Sequence, residues 1–161
     1  RKRTIIMEKT NAMRILDKNK IPYAAREYDA SITDGEAVAA ILNEPPEEVF
    51  KTLVTVSDKG EHLVFAVPVC AVLDLKKAAR AAGVKSVSMI RQKELEPLTG
   101  YVHGGCSPVG MKKRFRTFVH ESARTLPQMY VSAGKVGRQM RLSPADLLTA
   151  VGAVFADLTA E

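Results

Sequence analysis

The fold is decided by residues 49–70, which read VFKTLVTVSDKGEHLVFAVPVC. Polar and apolar residues alternate along the first part, a Ser-Asp-Lys-Gly stretch interrupts them, and a second run brings Leu63, Phe65 and Val67 onto one face. Alternation with a period of two residues on both sides of a glycine-containing turn is typical of a β-hairpin. We therefore predict two antiparallel strands here.

Shorter helices and strands are predicted on both sides of the hairpin. Thr33 and Glu36 form a capping-box pattern, while Asp74 and Ser143 stand where helix N-caps are favoured. Apolar periodicity and turn residues place helices over residues 11–20, 34–42, 75–82, 91–98 and from residue 144 onwards, and further strands over 22–28, 84–89, 116–119, 128–132, 138–142 and 151–155. Because helices and strands mix without a regular βαβ alternation, we predict one α+β domain with a mixed, bent sheet.

The composition is typical of one globular domain. The chain has 161 residues, of which 46% are hydrophobic and 26% charged, so it can bury a substantial core without a metal or a disulfide. Its apolar runs are far shorter than the roughly 18 residues of a membrane span, and its two cysteines exclude a disulfide scaffold. With no export signal visible, we expect a cytoplasmic protein without a membrane partner. Residues 1–6 are expected to be an upstream extension or expression remnant, and residues 7–161 the functional domain.

Positive charge is concentrated in the second half of the chain. The net charge is +6, yet residues 101–141 carry eight Lys or Arg against a single acid, Glu121. Such a concentration suits a phosphate-rich partner such as nucleic acid. A solvated basic face would have the same composition, so charge alone leaves both interpretations open.

A glycine-rich loop over residues 101–110 is the first candidate site. Its glycines have the spacing of a phosphate-binding P-loop, but Met111 and Lys112 replace the lysine and the Ser or Thr that such a loop requires. This excludes nucleoside triphosphate binding. The glycines still indicate sharp turns or a close backbone approach, so a connecting loop and a ligand-binding loop both remain open.

The sequence patterns that would indicate a protein nucleophile or a metal site are weak, whereas Lys51 is a stronger candidate for a functional residue. Cys106 lies three residues after His103, yet loop neighbours rarely face each other, so we favour a structural thiol over a Cys–His nucleophile. Cys70, at the end of a strand face, is predicted to pack. The three histidines lack metal-ligand spacing, so no metal site is predicted. Lys51 stands in an apolar strand, where a lysine lies either at the sheet margin or in a cleft.

Several segments together resemble one known family. In chain order they are Ile21-Pro22-Tyr23 with Tyr28, Val49-Phe50-Lys51-Thr52-Leu53, Thr99-Gly100-Tyr101, Gly104-Gly105-Cys106-Ser107-Pro108-Val109-Gly110, Lys112-Lys113, Tyr130-Val131-Ser132-Ala133-Gly134 and Ser143-Pro144-Ala145-Asp146-Leu147. In this order and spacing, from about residue 11 to residue 155, the chain resembles the YbaK-type cysteinyl-tRNA(Pro) deacylases, freestanding relatives of the editing domain of bacterial prolyl-tRNA synthetases.

The resemblance implies a fold and a reaction. The fold would be a strongly bent, barrel-like mixed sheet flanked by helices. The reaction would be hydrolysis of the ester that joins a wrong amino acid to tRNA(Pro), with cysteine the expected error. The family needs no metal or nucleotide cofactor and no protein nucleophile, because the cysteinyl thiol attacks its own ester carbonyl and positioning is most of what the protein supplies.

The resemblance also implies roles for individual residues. Lys51 and Tyr28 would be catalytic, with Lys51 holding the terminal adenosine or stabilising charge that develops near the carbonyl. The implied substrate-binding residues are Thr52, Gly104, Gly105, Ser107, Ser132 and Gln139. For tRNA binding we expect Lys112, Lys113, Arg114 and Arg116. Because a small pocket and a basic patch cannot select one tRNA, we also expect a transient complex with prolyl-tRNA synthetase.

Two departures from the family leave the substrate open. Gln139 stands where some members have an acid, and Cys106 stands where an aliphatic residue is frequent. Related branches clear alanine, serine or threonine, which cannot use the thiol route. A non-catalytic module that binds tRNA or a synthetase, and a thiol hydrolase acting through Cys106, are the competing hypotheses.

Overall fold

The computed structural model describes residues 8–161, so the predicted extension over residues 1–6 lies outside the described residues. In this part of the chain the helices are α1 (Asn11–Lys18), α2 (Gly35–Leu42), α3 (Leu75–Ala82), α4 (Gln92–Thr99) and α5 (Pro144–Val151). The strands are β1 (Ala24–Glu27), β2 (Phe50–Ser57), β3 (His62–Pro68), β4 (Val87–Met89), β5 (Arg116–His120), β6 (Met129–Ser132), β7 (Arg138–Leu142) and β8 (Val154–Ala156). The predicted mixture of helices and strands in one domain is confirmed.

The strands form two sheets that meet at one bridge. The predicted hairpin, β2 and β3, lies inside a five-stranded sheet of order β4-β2-β3-β5-β8, in which β5 runs parallel to β3 and β8 parallel to β5. A three-stranded antiparallel sheet has the order β1-β7-β6. A parallel bridge between Val49 and Tyr130 joins the two. Within residues 8–161 the sheets do not close into a barrel, so the barrel-like form is not confirmed.

Strand β3 is buried on both faces, which explains its nearly continuous apolar sequence. Every residue after His62 is buried. On one face Leu63, Phe65 and Val67 pack under the alanines of α3. On the other face Val64 packs against the glycine-rich loop. Each fully buried large side chain contributes about 1.5–3 kcal/mol, so β3 fixes both the outer helix and the loop.

Two predicted helix starts are confirmed by their caps. The Asp74 carboxylate accepts hydrogen bonds from the backbone N–H groups of Lys76 at 2.9 Å and Lys77 at 3.1 Å, and α3 follows. The Ser143 hydroxyl accepts one from the N–H of Asp146 at 3.1 Å, and α5 follows. No helix in the described part of the chain is long and apolar enough to cross a membrane.

The capping box predicted at Thr33 is wrong by one residue. Asp34 is the N-cap of α2, and its carboxylate accepts a hydrogen bond from the Ala37 N–H at 3.1 Å. The Thr33 side chain instead packs on Gly104, where a Cβ atom would lie 3.1 Å from Thr33 Cγ2. A carboxylate is a strong acceptor for the unpaired N–H groups of a first turn, and its use here leaves Thr33 free to contact the loop.

Candidate active site

A cavity of about 260 Å³ lies where the two sheets meet the glycine-rich loop. Four consecutive residues of β2 line it, together with the end of β6, the middle of β7, the first turn of α2 and part of the loop. The bridge between Val49 and Tyr130 brings β2 beside β6 at this point. The cavity therefore depends on the junction between the sheets rather than on either sheet alone.

Six of the eight residues predicted to be catalytic or substrate-binding line this one cavity. They are Tyr28, Lys51, Thr52, Gly104, Ser132 and Gln139. Lys51 and Thr52 are neighbours on β2, and Ser132 lies directly opposite Gln139 in the pairing of β6 with β7. Residues from four separate regions of the sequence thus converge.

Lys51 lies among the residues that line the cavity, a placement that favours a cleft position over a sheet margin. Its side chain is half-buried, and it shares the cavity lining with one carboxylate, Asp34. That carboxylate already caps α2. No carboxylate in residues 8–161 lies within ion-pair distance of the Lys51 ammonium. The ammonium is therefore available to an anionic or strongly polar group of a ligand.

Two buried oxygen atoms in the cavity wall have no hydrogen-bond partner within the described chain. They are Thr52 Oγ1 and Gln139 Oε1. Gln139 is only 6% exposed, so water does not easily replace the missing donor. A buried polar atom without a partner costs about 1–3 kcal/mol, and native proteins keep few of them. Rotation of these side chains toward the cavity would let a polar ligand supply the missing donors.

The glycine-rich loop is held rigidly next to the cavity. The Tyr101 hydroxyl donates to the Val109 carbonyl at 2.5 Å, and the Ser107 hydroxyl accepts from the Val109 N–H at 3.2 Å. Gly104 has a φ of +86°, a left-handed conformation that favours glycine. These contacts fix the backbone that carries Gly104 to the cavity.

Gly105 and Ser107 shape the loop behind the cavity wall and are absent from its lining. A Cβ atom at Gly105 would lie 2.8 Å from the Val136 backbone nitrogen, so glycine is needed there for packing of the loop against the turn before β7. Ser107 is fully buried. Both residues were expected to bind substrate, but Ser107 forms its hydrogen bond within the loop, and the close approach of Gly105 is to Val136.

The two thiols lie in different surroundings. Cys106 lines the cavity, and burial raises its pKa to about 12. His103 also lines the cavity but is exposed, and in the described chain it makes no hydrogen bond to the thiol. Cys70 is exposed, so the packing predicted for it is wrong; β3 ends at Pro68 and leaves Cys70 in the following turn.

Residues 29–150 match the aminoacyl-tRNA editing domain family. This chain belongs to that family. The editing domain is 44% identical over 156 residues to an Enterococcus faecalis protein described as a candidate Cys-tRNA(Pro)/Cys-tRNA(Cys) deacylase, EbsC, with 94% of each chain aligned. The predicted enzyme class, an aminoacyl-tRNA deacylase, is thereby confirmed.

Solved structures agree with this assignment. A crystal structure described as a candidate trans-editing enzyme for prolyl-tRNA synthetase matches the editing domain with a TM-score of 0.81 at 26% identity, covering 96% of this chain and all 100% of that one. A second, of a hypothetical protein, matches with a TM-score of 0.84 at 24% identity over 91% of this chain and 97% of that one, and shows the fold alone.

Sequence reasoning missed part of the editing domain's cavity. The first turn of α2, with Asp34, Gly35 and Val38, forms one wall. A Cβ atom at Gly35 would lie 2.6 Å from Val69 Cγ1, so this glycine lets α2 pack tightly on the end of the hairpin. The sequence does show Gly35 in the first turn of a predicted helix, but this alone does not identify Val69 as its packing partner.

The expected tRNA-binding residues separate into two groups. Lys112, Lys113 and Arg114 are exposed and do not line this cavity; they line a second one. Arg116 is held elsewhere, because its guanidinium forms two hydrogen bonds to Glu61 at 2.9 and 3.1 Å and a third to the Ala82 carbonyl. No group of three His, Cys, Asp or Glu side chains in residues 8–161 is placed to hold a metal ion.

Proposed function

We propose that this editing domain removes cysteine from wrongly charged tRNA(Pro). The observation that carries the proposal is that Lys51, Thr52 and Gln139 line one cavity, and that Thr52 and Gln139 each hold an oxygen without a partner in the described chain. The similarity to a candidate Cys-tRNA(Pro)/Cys-tRNA(Cys) deacylase supports the choice of amino acid. A charged donor and two acceptors suit an aminoacyl ester, which offers a carbonyl oxygen, ribose oxygens and an amino group.

The size of the cavity supports a small aminoacyl group. Its volume of about 260 Å³ is below the roughly 300–1,000 Å³ of pockets that enclose drug-sized ligands. A cysteinyl group with part of the ribose fits such a space better than a whole nucleotide. The adenine base of the terminal adenosine would then lie outside the cavity, near the exposed His103.

The reaction we propose uses the thiol of the substrate as nucleophile. The cysteinyl sulfur loses its proton to water and attacks the ester carbonyl carbon. A carbon–sulfur bond forms, the bond from carbon to the ribose oxygen breaks, and that oxygen takes up a proton. The products are free tRNA and a cyclic thiolactone, which water then opens to cysteine. Holding thiol and carbonyl in an attack geometry supplies a large part of the acceleration.

The cavity residues would act by binding and charge stabilisation. The Lys51 ammonium would stabilise negative charge on the carbonyl oxygen during attack or on the departing ribose oxygen. Gln139 Oε1 would accept a hydrogen bond from the substrate amino group, and Thr52 Oγ1 from a ribose hydroxyl. Tyr28 and Ser132 would complete the polar lining.

Cys106 is a poor alternative nucleophile. Burial raises its pKa to about 12, so a thiolate is rare at neutral pH, and thiolate is the reactive form. His103 is exposed rather than paired with the thiol. These features support a substrate-assisted reaction over a protein nucleophile.

Selection of tRNA(Pro) would come from a partner. The cavity recognises a small aminoacyl group, and this group is the same whichever tRNA carries it. We therefore propose a transient complex with prolyl-tRNA synthetase in the cytoplasm, where tRNA is charged. A solved structure with 26% identity, described as a candidate trans-editing enzyme for that synthetase, supports this partner.

Lys51→Ala tests the proposal directly. We expect at least a 100-fold loss of cysteine release from Cys-tRNA(Pro), because the ammonium acts on charge that develops in the transition state. Lys59→Ala is the matched control, since Lys59 lies exposed in the hairpin turn and should retain wild-type activity. Circular dichroism would verify that both variants fold. Equal activity of Lys51→Ala and wild type would overturn the site, and no release by wild type would favour a non-catalytic binding module.

A further inference from the structure

A second cavity is lined by the later residues of the glycine-rich loop. Its volume is about 200 Å³. Loop residues 103, 104 and 106 line the first cavity, whereas residues 108–110 line the second. Ile15 of α1, Thr117 of β5 and the last turn of α5 complete the wall. One loop therefore contributes residues both to the proposed catalytic cavity and to this second cavity.

The second cavity is strongly cationic. Its lining includes Lys112, Lys113 and Arg114 and no acidic residue. The first cavity, by comparison, combines Lys51 with Asp34. No ion pair within residues 8–161 involves any of the three cations.

Lys113 and Arg114 are the most available of these charges. The Lys112 ammonium lies 3.5 Å from the Pro97 carbonyl, at the end of α4, and its stem packs on Gly100. Lys113 and Arg114 have no such partner among the hydrogen bonds of the described chain. A concave wall with two uncompensated cations attracts phosphate more strongly than scattered surface lysines, because a cleft focuses the electrostatic potential.

The cavity also offers an apolar surface. Phe115 lines it half-buried, and its ring meets the His62 ring edge-on at a centroid distance of 6.0 Å. A nucleotide presents one phosphate and one flat base. Cations beside an aromatic ring are the usual elements of single-stranded nucleic acid binding.

We infer that this second cavity binds the phosphodiester backbone just upstream of the terminal adenosine, in the single-stranded CCA end of tRNA. The inference rests on the proposed function, since it requires the aminoacyl ester in the first cavity. The strand would cross the loop between Gly104 and Gly110, and the negative charge of the preceding phosphates would lie against Lys113 and Arg114. All tRNAs share the CCA end, so this contact adds affinity without selecting a tRNA.

The test compares a double variant with a matched control on two substrates. Lys113→Gln with Arg114→Gln removes the two charges from the cavity, and Lys76→Gln with Arg80→Gln removes one Lys and one Arg from exposed positions on α3. The substrates are Cys-tRNA(Pro) and cysteinyl-adenosine, which lacks the upstream phosphates. We expect the ratio of kcat/KM for tRNA to kcat/KM for the nucleoside ester to fall at least tenfold in the cavity variant and to stay at the wild-type value in the control.

Salt dependence gives a second readout. Each lost contact to a single-stranded phosphate lowers the slope of log affinity against log salt by about 0.7, so the cavity variant should lose about 1.4 from the slope. Equal ratios and slopes in wild type and the cavity variant would overturn the inference.

Direct binding separates this inference from the proposed function. If wild type hydrolyses neither substrate, the proposed function fails, and anisotropy of a fluorescein-labelled CCA trinucleotide then decides the inference. Weaker binding by the cavity variant than by the α3 control would support a CCA site. Equal binding by both variants would overturn it. Displacement of the trinucleotide by millimolar inorganic phosphate would also overturn it, because the cavity would then be a site for free phosphate.

Discussion

At the scale of single residues, the site combines one available charge with polar atoms that the fold leaves unpaired. Thr52 Oγ1 and Gln139 Oε1 weaken the folded state, since each buried atom lacks a partner in the described chain. Such groups persist where they serve a ligand. A substitution that removes such an atom should therefore change stability and activity in opposite directions.

Thr52→Val should stabilise the folded protein but lower its deacylase activity. Valine has nearly the shape of threonine and removes the unpartnered oxygen, so the free energy of unfolding should rise by about 1 kcal/mol. Cysteine release from Cys-tRNA(Pro) should fall about tenfold through KM. Denaturant unfolding and deacylation kinetics measure the two effects. Thr55→Val is the control, because Thr55 Oγ1 donates to the Leu63 carbonyl at 3.0 Å and its loss should destabilise. Lower stability of Thr52→Val than of wild type would show that the oxygen has a partner in solution.

Cys106→Ala should release cysteine from Cys-tRNA(Pro) with a kcat close to that of wild type. Burial raises the pKa of the thiol to about 12, and the proposed nucleophile belongs to the substrate, so kcat should stay within about threefold of wild type, a change far below the loss expected for an essential nucleophile. Cys70→Ala is the control for the exposed thiol. A folded Cys106→Ala enzyme with a hundredfold lower kcat would establish the competing thiol-hydrolase mechanism.

At the scale of elements, the helices and the hairpin are encoded locally, while their contacts are not. Alternation in residues 49–70 predicted β2 and β3, and the caps Asp74 and Ser143 predicted the starts of α3 and α5. The error at Thr33 arose because two adjacent residues could both cap α2. Packing of Thr33 on Gly104 decides between them, and that contact joins positions far apart in the sequence.

A neutral histidine holds the segment that follows the last strand. His120 Nδ1 accepts a hydrogen bond from the Leu158 N–H at 3.1 Å, which holds the segment after β8 against the end of β5. A protonated ring cannot accept at Nδ1. Burial lowers the pKa of His120 below its ordinary value, with Asp157 and Glu121 opposing the shift.

This contact predicts a pH dependence of stability. Because the pKa of His120 is lower in the folded than in the unfolded chain, the unfolded chain binds more protons at acid pH. The stabilisation is complete above the unfolded pKa of about 6.5 and is lost as the pH falls through the folded value. The free energy of unfolding should therefore decrease between pH 7.5 and pH 5.5.

Urea unfolding at several pH values measures the effect. His120→Asn should flatten the dependence, because asparagine does not titrate and its amide oxygen can still accept. His103→Asn, at an exposed position, should leave it unchanged. A slope in His120→Asn equal to that of wild type would assign the pH dependence to other groups.

At the scale of the whole molecule, the site forms where two sheets meet. Local periodicity predicted the strands on either side, but it contains no information on the bridge between Val49 and Tyr130. The gathering of Lys51, Tyr28 and Gln139 in one cavity followed from a family resemblance and not from spacing. The second cavity was missed because α1, β5 and α5 contribute to it from distant parts of the chain. The basic segment around it was visible in the composition.

If the substrate's own thiol performs the attack, the rate of release must depend on which amino acid tRNA(Pro) carries. tRNA(Pro) charged separately with cysteine, serine, alanine and proline would be incubated with wild type and with Lys51→Ala. Serine differs from cysteine by one atom and fits the same cavity of about 260 Å³, so binding alone would discriminate weakly. We predict rapid release of cysteine by wild type, at least a 100-fold slower release of the other three, and loss of cysteine release in Lys51→Ala. Release of serine or alanine at a rate close to that of cysteine would contradict it, and would establish water as the nucleophile.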